Sequence, residues 1–340
     1  MKTKNFSFDL PTHLIAQHPP ERRGSSRLMV IHRSTGVFEH TMVADLPRLL
    51  EPGSVVVFNN SRVRKARLVG RRLGTGGRGE FLLVDRVDSD TWRCLAKNAA
   101  RRRNGEVFEF PDGLTGTISG EAEDGAILMT FSRTIDDEYL DRNGQVPLPP
   151  YIRRQPDEHD DARYQTVYAA EHGSIAAPTA GLHFTADLIE ALRARGVDIR
   201  FVTLHVGIGT FLPVRTDEVE SHTMHEERYT VPEDTARAVT AAKSEGRAVV
   251  AVGTTAVRTL ESAGTDGCIV PGDGTTSLFI YPGYSFQIVD QMFTNFHTPE
   301  SSLFVMVSAF AGLETMKAAY RAAVDAEYRF FSYGDACLIR

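Results

Sequence analysis

Cysteine is nearly missing from this chain. Only Cys94, Cys268 and Cys337 occur among 340 residues, far apart, so there is no disulfide scaffold and no zinc-knuckle spacing; an unclustered odd count reads as reduced thiols in cytosol. Also lacking is a long apolar run. The longest, LFVMVSAFAGL (Leu303 to Leu313), is about half of the roughly 20 residues a spanning helix needs. The opening MKTKNFSFDLP has no apolar core of a secretory signal. A basic excess is absent as well: 38 Lys and Arg against 44 Asp and Glu leave a net charge of −6, which excludes a uniformly basic nucleic-acid coat. Tryptophan occurs once. A cytoplasmic protein of about two domains is expected, with 42% apolar residues able to bury a large core.

What is present is unevenly distributed. Residues 62–103 hold 13 basic and 4 acidic residues, and residues 104–161 hold 4 basic and 14 acidic ones. Within this region short strand-like runs alternate with turn residues: KARLVGRRL, EFLLVDRV, TWRCLAK, EVFEF, LTGTISG and AILMTFS, broken at Gly76-Gly77, Asn104-Gly105 and Asp112-Gly113. Such spacing predicts a small antiparallel barrel or sandwich over residues 65–146. The literal G-x-G-x-x-G at Gly74, Gly76 and Gly79 precedes another strand rather than a helix, so it reads as a hairpin turn and not as a dinucleotide fingerprint.

Either side of this unit the texture is α/β. SVVVFNN (Ser54 to Asn60) is a buried strand, and TADLIEALRARG (Thr185 to Gly196) is an amphipathic helix with a Thr start and a Gly stop. A strand, DIRFVTLHVG, follows; PEDTARAVTAAKSEG (Pro232 to Gly246) is a further helix; and RAVVAVGTT runs as a strand into the helix AVRTLES. PLPPYI (Pro147 to Ile152) forbids regular structure at the junction. The expected architecture is therefore an α/β main domain, residues 1–64 and 147–340, with an inserted small antiparallel β-barrel domain.

Three groups of residues could carry chemistry. Gly253, Thr254 and Thr255 lie where a strand gives way to a helix, offering N–H groups and hydroxyls to a polar ligand. Arg258 follows one turn on; the plainer reading makes Arg258 and Glu261 a surface i,i+3 pair. His183, His205, His222, His225 and His297 all fall in or beside Gly-, Pro- or Thr-containing turns, and imidazole suits proton transfer near neutrality. His222, His225 and Glu227 sit close enough to suggest a metal-dependent hydrolase, but no HExxH spacing accompanies them. In the basic stretch Arg62, Arg67, Lys97, Arg101, Arg102 and Arg103 could neutralise phosphates of RNA, either for an enzyme or for a non-catalytic RNA-binding protein. A solvated face balanced by the acidic segment is the bland alternative.

Taken together, FDLPTHLIAQHP, SSRLMVI, PGSVVVFNNSRV, PLPPYIRR, RYQTVYA, AAPTAGLHFT, LHVGIGTFLPV, HTMHEE, AVGTTAVRTLES, TNFHTPESSL and YRFFSYGDACLI resemble, in order and nearly end to end, the S-adenosylmethionine:tRNA ribosyltransferase-isomerases of queuosine biosynthesis. Departures are few: Asn60-Ser61, Arg64-Lys65, Thr298, Cys337 and Lys97-Asn98-Ala99 differ from the family's usual residues. The resemblance implies the α/β domain with its inserted barrel. It implies transfer and isomerisation of the ribosyl part of S-adenosylmethionine onto 7-aminomethyl-7-deazaguanine at the wobble position of a tRNA anticodon loop, with release of adenine and methionine. S-adenosylmethionine is then a consumed substrate, and no cofactor, metal or obligate protein partner is implied. For that chemistry, the five histidines with Glu227 and Asp335 form the acid–base pool, Gly253, Thr254, Thr255 and Arg258 the S-adenosylmethionine site, and the basic residues the tRNA contact.

Overall fold

The computed structural model describes residues 1–97, 99, 102–122, 125–207 and 216–340. The chain folds into two compact units: residues 1–62, 150–154 and 163–340, and residues 63–149 with 155–162.

The larger unit is built on a nine-stranded sheet. At its centre Asp198–Leu204, Val55–Asn59, Val249–Val252 and Gln291–Asn295 lie side by side, all parallel. Ala336–Ile339 joins antiparallel to Gln291–Asn295, and Arg27–His32 runs parallel to it. Residues 55–58 and Val249–Val252, in the middle of the four, are apolar without interruption because both faces are covered. Met29, Ile31, Val55, Val57, Val249, Ala251, Cys337 and Ile339 face one core. The alternate residues Leu28, Val30, Val56, Phe58, Val250, Val252, Ala336 and Leu338 face the other.

Helices Glu233–Ser244, Thr254–Ala263, Ser302–Ala311 and Leu313–Asp325 supply the first core, and Ala186–Ala194 supplies the second. Thr185 caps the last of these, its hydroxyl accepting from the Leu188 N–H, and Gly196 ends it at φ +80°. The longest apolar run in the sequence is the buried helix Ser302–Ala311, which meets Leu313–Asp325 at a bend of 114°. Among the described residues no single helix is long and apolar enough to cross a membrane.

The smaller unit is a closed antiparallel barrel, in the order Ile127–Phe131, Thr91–Ala96, Arg78–Arg86, Arg67–Arg72, Val107–Glu109, Thr115–Glu121. Closure leaves no free sheet edge. Phe81, Phe108, Phe110, Phe131 and Trp92 fill its interior. Gly74 and Gly76 lie in the hairpin turn between Arg67–Arg72 and Arg78–Arg86, and Gly79 in its second strand opposite Gly70, so the motif is a hairpin as the sequence pattern predicts. Cys94 and Cys337 are buried and Cys268 exposed, all three as free thiols; burial pushes Cys337 up to about 12, so it is inert at neutral pH.

Candidate active site

A cavity of about 400 Å³ opens at the carboxyl ends of the central parallel strands, where open α/β sheets bind their ligands. The chain leaves Val249–Val252 through Gly253, held at φ +87° and ψ 155°, a conformation closed to side-chain-bearing residues. The turn delivers Thr254 and Thr255 to the first turn of helix Thr254–Ala263, and all three residues line the cavity. The hydroxyl of Thr255 is buried without a hydrogen-bond partner among the described residues. Buried polar groups ordinarily have a partner, so this one is poised for a ligand.

The strand Gln291–Asn295 contributes Thr294, Asn295, and beyond it His297 and Thr298. His297 lies 3.0 Å through Nε2 from the Thr294 hydroxyl, and its backbone N–H donates to the Tyr320 hydroxyl at 3.0 Å. Burial lowers the ring to about 3, so it is neutral at physiological pH. Asn295 is fully committed. Its Oδ1 accepts from the Thr179 hydroxyl at 2.9 Å, and its Nδ2 donates to the Phe331 carbonyl at 3.2 Å and to Nε2 of His183 at 2.9 Å. Because an amide nitrogen can only donate, Nε2 of His183 is the acceptor and Nδ1 carries the proton, donated to Ser26 Oγ at 3.0 Å. His183, lowered to about 4 by burial, is therefore a neutral prop beneath Asn295 rather than a member of the cavity wall.

Tyr151, Arg153 and Tyr164, with Ser332 and Phe331, also line the cavity. Tyr151 and Ser332 share a short hydroxyl–hydroxyl hydrogen bond, and burial raises the Tyr151 phenol to about 12. Among the described lining residues none is a carboxylate, and Arg153 is the single charged one.

The seven groups expected to form one acid–base pool are not brought together. His297 alone lines the cavity. His205 packs against Gly173, where a Cβ would lie 2.6 Å from Nδ1. His222 stacks edge-on against Phe279 at 5.0 Å and is lowered by burial and by His225. Glu227 forms a buried ion pair with Arg258, and its other oxygen accepts from the Gly207 N–H at 2.8 Å. Arg258 also donates to the Leu278 and Thr276 carbonyls, both at 3.2 Å, so three of its five N–H donors are used inside the protein, in a cleft beside the cavity. Asp335 ties the Arg27 and Arg329 N–H groups at 2.9 and 2.8 Å and pairs with the Arg27 guanidinium. The surface pair of Arg258 with Glu261 does not exist: both are buried, and Glu261 accepts from Tyr284 and the Gln287, Ile288 and Val289 N–H groups. Among the described residues no group of three His, Cys, Asp or Glu could hold a metal, so His222 and His225 lack a third ligand.

Of the basic residues, Arg62, Lys97 and Arg103 are exposed. Arg67 is half-buried and donates to the Leu148 carbonyl at 3.1 Å. Arg102 lies over the Phe81 and Phe108 rings at 5.6 and 5.1 Å. Arg101, and residues 208–214 of the LHVGIGTFLPV motif, lie outside the described residues. Sequence reasoning missed Tyr151, Arg153, Tyr164, Thr179 and Asn295. The first two stand in PLPPYIRR and the last beside His297 in TNFHTPESSL, so a signal was present in the motifs.

A family model described as queuosine biosynthesis protein matches residues 3–339. The chain is 50% identical over 347 residues to the S-adenosylmethionine:tRNA ribosyltransferase-isomerase of Treponema denticola, and 51% identical over 342 residues to that of Symbiobacterium thermophilum, with 100% of each chain covered in both cases. A crystal structure of S-adenosylmethionine tRNA ribosyltransferase from Thermotoga maritima is 38% identical and aligns over 99% of this chain and 100% of its own, with a TM-score of 0.58.

Proposed function

Since the chain belongs to the queuosine biosynthesis protein family, we propose that it is an S-adenosylmethionine:tRNA ribosyltransferase-isomerase, acting in the cytoplasm on a tRNA anticodon loop that carries 7-aminomethyl-7-deazaguanine. The observation that carries the reading to this site is a cavity of substrate size, rich in hydroxyls and aromatic rings, with no carboxylate among its described lining residues. A sulfonium acidifies the protons on the ribose carbon beside it, and an anion close to the sulfur would weaken that effect. A wall without an anion preserves that activation.

Gly253, Thr254 and Thr255 hold the sulfonium nucleoside, the Thr255 hydroxyl gaining the partner it lacks. His297 is the proton carrier. It is neutral but a weak base, because burial disfavours its cation, so it takes the ribose proton only because the sulfonium acidifies that proton, and once charged it is a strong acid. It returns the proton readily as the bond to adenine breaks. His183 holds Asn295, which in turn holds Thr179 in the cavity lining. S-adenosylmethionine is consumed, and no further cofactor takes part. Among the described residues His222 and His225 have no third ligand to support the hydrolase reading.

Incubation with S-adenosylmethionine and the aminomethyl-deazaguanine tRNA should release one adenine per tRNA modified. His297→Gln should slow release by roughly 10²- to 10⁴-fold, the usual worth of a positioned acid–base group, while calorimetric affinity for S-adenosylmethionine holds. Absence of adenine from the wild-type reaction would overturn the assignment.

A further inference from the structure

We propose that Arg153 receives the carboxylate of the amino-acid tail of the sulfonium substrate, and thereby sets the direction in which that substrate enters. The inference rests on the reaction proposed above and assigns one part of the substrate to one residue. Arg153 is exposed, lines the cavity, and has no carboxylate within ion-pair distance among the described residues. Nearly every comparable arginine around it is spent: Arg154 Nε donates to the Gln17 carbonyl, and Arg163 donates to the Glu21 and Pro20 carbonyls. An unpaired guanidinium at the wall of an otherwise uncharged cavity is an anion receptor.

The backbone beneath it is fixed in advance. Gln17 accepts from the Arg153 N–H at 2.8 Å through Oε1 and donates to the Tyr151 carbonyl at 2.9 Å through Nε2. One side-chain amide thus clamps both flanks of Ile152, so the backbone that carries Arg153 is ordered before binding. S-adenosylmethionine carries one anionic group and two cationic ones. With the one charge among the described lining residues positive, the carboxylate is the one group of the substrate that gains an ion pair at Arg153, which leaves the sulfonium to lie away from it, toward Thr255 and His297. A tRNA phosphate offers the same anionic oxygens, so the test has to separate the two sources.

Arg153→Met keeps the aliphatic stem and removes the charge. Its KM for S-adenosylmethionine should rise about 10- to 100-fold, the range of a charge-assisted hydrogen-bonded pair, with kcat and the KM for tRNA nearly unchanged. Decarboxylated S-adenosylmethionine should bind the wild type correspondingly worse than S-adenosylmethionine and bind both proteins alike. Arg153→Lys should recover part of the loss. A variant that still discriminates between the two ligands, or whose tRNA KM rises instead, refutes the assignment. Calorimetry of both ligands, with no tRNA present, reads the preference even if the wild type releases no adenine, so failure of the proposed reaction and failure of this assignment are separable.

Discussion

His183 and His297 are buried imidazoles with different tasks and a common energetic signature. Burial holds their folded pKa values near 4 and 3, against about 6.5 in an unfolded chain. Their stabilisation is fully present above about pH 6.5. Below it the unfolded chain takes up protons that the folded chain refuses, so stability falls as pH falls toward the folded values. Each ring costs up to about 1.4 kcal/mol per pH unit in that window, on the order of 3 kcal/mol for the pair between pH 6.5 and 5 because the unfolded rings are only half protonated at its upper end. Urea unfolding at pH 7, 6 and 5 should show this slope, and His297→Gln should remove about half of it. Parallel pH dependences in variant and wild type would mean that these rings are not desolvated as described. Catalysis should show no limb from His183 near pH 6.5, because its tautomer is fixed by Asn295 and Ser26.

At the scale of elements, the turn from Val249–Val252 into Thr254–Ala263 sets the site. Gly253→Ala places a Cβ 3.3 Å from the Ala180 Cβ and forces a side-chain-bearing residue to φ +87°. The strain should cost about 1–3 kcal/mol, measurable as a lower urea midpoint, and the KM for S-adenosylmethionine should rise as Thr254 and Thr255 shift; an unchanged midpoint and KM would show the turn to be relaxed. This strand and helix were legible in RAVVAVGTTAVRTLES because apolar runs, glycine and threonine are local signals. The same locality explains what was not legible. Spacing places Arg258 and Glu261 one turn apart but does not say that nearly the whole helix is buried, so their partners came from Glu227 and from the Gln287–Val289 backbone. A histidine next to glycine or proline marks a bend in the backbone. The direction of its ring is decided by tertiary neighbours such as Phe279 for His222.

Across the whole molecule the net charge of −6 must coexist with RNA binding, and the ion pairs show how the basic stretch is divided. Arg64 pairs with Asp137 at 2.8 Å, Lys65 with Asp161 at 2.5 Å and Arg72 with Glu106 at 3.1 Å, each joining the basic stretch to the acidic segment that follows it. These cations are neutralised internally and release no counterions on binding. Lys97 and Arg103 are exposed, without an ion pair among the described residues, and remain available to phosphate. Lys97→Ala with Arg103→Ala should therefore weaken tRNA binding and reduce the slope of log K against log salt by about 1.5, since each phosphate contact contributes roughly 0.7 to 0.9. Arg102→Ala should behave differently. Its guanidinium covers the Phe81 and Phe108 rings, so its loss should lower the thermal midpoint of the protein and leave the salt slope near that of the wild type. Fluorescence anisotropy titrations between about 50 and 200 mM KCl, with melting curves of the same samples, separate the two effects. An unaltered slope in the double variant would place the phosphate contacts elsewhere on the surface.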